Sequence, residues 1–255
     1  MVQKSKGLES SLEMRLGHEI PPEHYGVLSA IVNNAWGWLF EATPEIIEKR
    51  LQSGHPFVVA YGQKQPDEQI EGDGSSPYDG QKMPIVFLET VALRTEGKFK
   101  NIPTDYFSLT NSGLWQPKSQ NPNGDYFAPL SDRLWHPGSK DPDTIMMVDL
   151  TGTPLRRRVT EEVSRLVEFT IKSLSGQNDH NLPFDPVNIH HIWTYSPDRP
   201  GVLRMHERNG ARDTGFIIPQ SRVPRQYVSY LNGTRTVDPS FSHPLMDTHI
   251  VSYKG

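Results

Sequence analysis

The chain has 255 residues and no cysteine, which excludes disulfides, thiol catalysis and zinc–thiolate sites. A formal net charge of −4 and a pI near 6.2 argue against a general nucleic-acid binder. The mean hydropathy of −0.58 and the lack of a long apolar run argue against a membrane span.

The polar start, MVQKSKGLESS, lacks a signal-peptide pattern, so the expectation is a cytoplasmic protein with a flexible segment at 1–11 and one domain over 12–255. A short strand is expected from Leu12 to Leu16. Pro21-Pro22 then opens a helix in which Leu28, Ile31, Val32, Ala35, Trp36 and Leu39 recur at helical spacing. Thr43-Pro44 reads as an N-cap followed by proline at the first helical position, starting a second helix through Leu51 that Gly54 ends. HPFVVAYGQ (55–63) and PIVFLETVAL (84–93) read as strands of a hairpin whose tip is the polar stretch 64–82. From about 95 to 143 runs a long insert rich in Pro, Asn and Gly. Its aromatics, Tyr106, Phe107, Trp115, Tyr126, Phe127 and Trp135, imply that it packs on something.

TIMMVDLTG (144–152) reads as the next strand, PLRRRV (154–159) as a basic loop, and Thr160 to Leu174 as an amphipathic helix. NIHHIWTYS (188–196) is a strand, and Pro200 to Asn209 a short helix closed by Gly210. DTGFIIP (213–219) and THIVSYK (248–254) complete the order β α α β β, insert, β α β α β β. The fold class is therefore α/β of the α+β kind.

This succession resembles the GCN5-related N-acetyltransferase (GNAT) superfamily. The resemblance implies a mixed, mostly antiparallel sheet flanked by helices, with the aromatic-rich insert placed before the central strand. Members carry Pro-x-x-Arg-Gly-x-Gly before a helix whose first amides receive the pyrophosphate of acetyl-CoA. Here Pro154-Leu155-Arg156-Arg157 supplies the first half, while Arg158 and Thr160 replace the glycines. The implied donor-binding residues are Leu150, Gly152, Arg156, Arg157, Arg158, Val159 and Thr160, with arginine side chains standing in for glycine-exposed amides. Members also end the later helix in Tyr-Glu-x-x-Gly-Phe, the tyrosine protonating the departing thiolate. His206-Glu207-Arg208-Asn209-Gly210-Ala211 has that spacing, so the resemblance puts His206 at the tyrosine position.

The expected function is transfer of an acetyl or other acyl group from acyl-CoA to an amine acceptor, a small molecule entering between the first two helices and the insert. Three alternatives stay open: a thioester decarboxylase, an acyltransferase serving an acyl carrier protein, and a non-catalytic acyl-CoA-binding module. Neither the acceptor nor the oligomeric state is written in the residues.

Several residues carry plainer readings. His206 also suits a helix C-terminus, where a cationic ring is favoured by the dipole. Arg156–Arg158 also suits a solvated turn pairing with Glu161 and Glu162. Glu89, a carboxylate within an apolar strand, either pairs structurally with a cation such as an arginine or helps deprotonate an acceptor amine, and Asp149 poses the same choice. His190 and His191 point to opposite faces of a strand, which disfavours a metal site even with His180, Asp179 and Asp185 nearby. Trp193 and Tyr195 read as core, and Thr110 and Asn111 as a turn or a substrate contact.

Overall fold

The computed structural model describes residues 12–36, 42–63, 82–102, 132–152, 159–178, 180–197, 200–218 and 247–254. The described chain forms β1 (Glu13–Leu16), α1 (Tyr25–Trp36), α2 (Pro44–Gln52), β2 (Phe57–Gln63), β3 (Lys82–Leu93), β4 (Thr144–Gly152), α3 (Val159–Leu174), β5 (His191–Pro197), α4 (Pro200–Arg208), β6 (Arg212–Ile218) and β7 (Thr248–Lys254). The strands make one seven-stranded sheet in the order β1-β2-β3-β4-β5-β7-β6. Every pairing is antiparallel except β4–β5. A parallel pair needs a crossover, and α3 supplies it.

The element order matches the sequence reading, with shifts of one to three residues at several boundaries. Pro22–His24 is a 3₁₀ turn and the first α-helix starts at Tyr25. Pro186–Asn188 is likewise a 3₁₀ turn, so β5 begins at His191 rather than 188. In both places a proline begins the tight turn, its φ set for it and its N–H not needed. Thr160 lies inside the first turn of α3, which begins at Val159. Leu39 falls outside the described residues, as do Tyr106, Phe107, Trp115, Tyr126 and Phe127 of the insert. No described helix is long and apolar enough to cross a membrane.

Strand alternation sorts the sheet into two faces. Leu88, Ala92, Ile145, Met147 and Ile192 pack with Val163, Leu166 and Val167 of α3 on one face. Val91, Leu93, Met146, Trp193 and Ile250 form the core of the other, and Glu89 shares their parity on β3. From α2, Arg50 reaches Glu89 and makes an ion pair of 2.9 Å, both side chains only 1% exposed. The carboxylate that broke the apolar pattern of β3 thus has an arginine partner, as the first of the two readings open for it required. Breaking a fully buried pair leaves a charge in low dielectric, which costs far more than the pair itself contributes. Arg50→Met is therefore expected to lower unfolding stability by about 3–5 kcal/mol. Adding Glu89→Leu to that variant recovers most of the loss, as read from urea denaturation midpoints.

Candidate functional site: an opening between two parallel strands

The β4–β5 ladder runs from Thr144↔His191 to Met147↔Thr194 and stops. Both strands continue. β4 stays on β3 as far as Gly152↔Val86, and β5 stays on β7 as far as Pro197↔Thr248. The sheet therefore opens beyond Met147 and Thr194, leaving two strand arms with main-chain groups that have no cross-ladder between them. A bulge explains where the split begins. Glu89 faces Asp149 while Thr90 faces Met147, so Val148 is an extra residue in β4 that bends the strand at that point. Thr194 closes the last rung, its hydroxyl donating to the Met147 carbonyl at 2.8 Å.

The residues expected to bind a donor are distributed along the β4 arm and beyond it. Leu150 is partly buried and packs against the core under α3. At Gly152 an added Cβ would meet Val86 Cγ2 at 3.0 Å and the Ile85 carbonyl oxygen at 3.3 Å, so glycine here lets β3 and β4 approach closely. Val159 and Thr160 form the first turn of α3, the element that follows the β4 arm in the chain. Arg156, Arg157 and Arg158 lie outside the described residues, as do Thr110 and Asn111 and the side chain of Asp149.

His206 sits in α4, which follows the β5 arm. The helix ends in a Schellman motif: Ala211 N–H donates to the His206 carbonyl and Gly210 N–H to that of Glu207, with Gly210 at φ +88°. The Asn-Gly signal was therefore a true C-cap, and it fixes the turn that carries His206. The histidine ring is buried, with Nδ1 2.8 Å from the Tyr253 hydroxyl on β7. Burial lowers its pKa to about 4 and pushes the Tyr253 phenol up. At pH 7 the imidazolium is then about one part in a thousand. Met205 and Tyr253 pack on the α3 face of the sheet, whereas Glu89 lies with Arg50 on the α2 face. The two residues expected to be catalytic are thus on opposite faces of the sheet.

His190 and His191 are held differently from a ligand pair. Both backbone amides donate to the Asp143 carbonyl, and the His191 ring stacks on Trp193 at 4.9 Å. Among the described residues no group of three His, Asp or Glu could hold a metal. Trp193 is buried in the core beside Phe99, at 4.7 Å between rings. Both described ends of the insert root at the end of the sheet where β4 begins, away from the opening. Leu134 bridges Leu93, and the Asp143 carboxylate accepts from the Thr95 and Glu96 amides at 2.9 and 2.8 Å. Sequence reasoning passed over Asp143, whose only signal was its place in the turn SKDPDT. It also passed over Tyr253, and over Ser196 on the β5 arm, whose buried hydroxyl has no partner among the described residues.

No family model matches the chain, and no curated protein matches it. Several solved structures are similar in shape. Arabidopsis thaliana NAA60 in complex with a bisubstrate analogue is 12% identical, with 96% of this chain and 99% of that one covered and a TM-score of 0.49. The loading GNATL domain of CurA from Lyngbya majuscula is 12% identical over 95% and 97%, with a TM-score of 0.46. An acetyltransferase of the GNAT family from Streptococcus pneumoniae is 10% identical over 94% and 97%, with a TM-score of 0.43. With TM-scores under 0.5, these similarities decide nothing about the chemistry of this chain; its strand register and side chains do.

The buried histidines tie stability to pH. Desolvation brings His55 to about 3, its Nδ1 accepting from the Ala92 amide at 3.1 Å, and His206 to about 4. In the unfolded chain both titrate near 6.5. Below that pH the unfolded state binds protons that the folded state refuses, so this contribution is complete above pH 6.5 and is lost as pH falls toward 4 and then 3. Urea midpoints should fall steadily from pH 7 to pH 4. In His55→Asn, whose side-chain oxygen still accepts from Ala92, that fall should be shallower.

Proposed function

We propose that the chain is an acyltransferase that moves an acetyl or other acyl group from acyl-CoA to an amine. The observation that carries this reading is the opening between β4 and β5, because it offers an extended thioester two strands of main-chain donors and acceptors within one sheet. The thioester arm would lie between the strand arms. Its phosphates would lie at the first turn of α3, where free N–H groups and the helix dipole favour anions, beside Arg156, Arg157 and Arg158.

In this reaction the amine nitrogen bonds to the thioester carbon, the carbon–sulfur bond breaks, and the nitrogen's proton ends on sulfur. The charge that develops on the carbonyl oxygen is met by an N–H of the β4 arm in the stretch Leu150–Gly152. The amine would approach from the α1–α2 face. There Glu89 is already engaged by Arg50, which favours a structural role for it over that of a free base. His206 would stand at the departing sulfur.

Calorimetry with CoA and acetyl-CoA at low and moderate salt tests the reading. The expected result is micromolar binding that salt weakens, with Arg157→Ala reducing affinity about tenfold. His206→Ala should then lower kcat by roughly 10²–10³ without changing CoA affinity. An absence of binding to either ligand would overturn the acyl-CoA reading.

A further inference from the structure

His206 and Tyr253 form a pair that the sequence gives no reason to expect, since 47 residues separate them. The helix brings the ring down onto β7, and the rings meet edge to face at 6.1 Å. The direction of the hydrogen bond between them determines what the imidazole can do. The phenol has no other partner among the described residues. If Nδ1 carried the proton and donated to the phenol oxygen, the O–H of the partly buried Tyr253 would have no acceptor among the described residues. If the phenol donates to a bare Nδ1, the O–H and Nδ1 are both paired. The ring proton is then on Nε2, which has no acceptor among the described residues.

We infer that Tyr253 is the positioning residue of His206, its hydroxyl fixing the Nε2–H tautomer so that the site presents a neutral hydrogen-bond donor to its ligand. This rests on the acyltransferase reading for the identity of the ligand, but not for the tautomer. A neutral N–H selects an electron-rich acceptor: a thioester carbonyl oxygen or the sulfur of a departing thiolate. It is not a base for an ammonium group, and it gives up no proton, which would leave an imidazolate. As the carbon–sulfur bond breaks, the electron pair stays on sulfur and is held by Nε2–H. The proton that finally neutralises sulfur comes from the amine nitrogen, through solvent. His206 thus serves where the resemblance places a tyrosine, by donating a hydrogen bond rather than by protonating. Burial supports this, because it keeps the ring uncharged at neutral pH.

The test is nitrogen-15 NMR of histidine-labelled protein at pH 7 with no CoA present, the His206 signals assigned by their loss in His206→Gln. The Nε2–H tautomer is expected in the wild type, and its dominance is expected to disappear in Tyr253→Phe. An Nδ1–H ring in the wild type overturns the inference. So does a tautomer ratio unchanged in Tyr253→Phe. The wild-type spectrum decides the direction of the bond even if that variant fails to fold. Turnover then separates the roles. The glutamine of His206→Gln places an N–H near the Nε2 position and should keep about a tenth or more of the transfer rate, whereas His206→Ala loses 10²–10³. Equal loss in both variants would overturn the donor role. An Nε2–H ring in a protein that binds no CoA would leave the positioning role standing and remove the acyltransferase reading.

Discussion

The architecture depends on the one parallel pairing, and above all on where it stops. Between Met147 and Thr194 the sheet changes from a continuous ladder into two arms, and each arm is held by its antiparallel neighbour. The extra residue Val148 makes the departure local to one rung, because a bulge adds bend and twist without unpairing β4 from β3. Each wall of the opening is anchored along its outer side, β4 on β3 and β5 on β7.

Around that opening the two faces are held by different means. On the α3 face apolar burial dominates, and an imidazole is bonded there to a phenol. On the α2 face a charged pair crosses from helix to strand at Glu89, one residue from the bulge. Charged groups so placed add orientation more than stability, since the desolvation of both ions offsets most of their attraction. α2 is thereby keyed to the point of β3 opposite the start of the β4 arm. The helix wall and the strand wall share one reference point.

Much of the fold was legible in the sequence. Periodicity, apolar runs and Pro/Gly signals marked every α-helix and strand of the described chain, and the Thr43-Pro44 and Asn209-Gly210 signals marked real caps. Glu89 announced a buried partner by being charged inside PIVFLETVAL, but nothing local pointed to Arg50, because a pairing across 39 residues is a tertiary fact. The bulge at Val148 has no residue signature either: MMVDL reads as an unbroken strand, and only the register against β3 reveals the extra residue. His206 was found by spacing, yet its charge state came from its surroundings. A histidine near a helix C-terminus in water would be expected to gain a proton, and burial against β7 reverses that. Tyr253 stayed hidden in THIVSYK because alternation explained it already.

The clamp at the start of β4 ties two distant stretches of chain to one corner of the sheet. Leu134 on Leu93, Trp135 N–H on the Ala92 carbonyl and the Asp143 carboxylate on the amides of residues 95 and 96 hold the segments 93–96 and 134–143 together. Because Thr144 pairs with Leu93 directly beyond this clamp, the first rung of the β3–β4 ladder is set by contacts among these residues alone. The corner opposite the opening is thus a fixed point from which the strand register is counted.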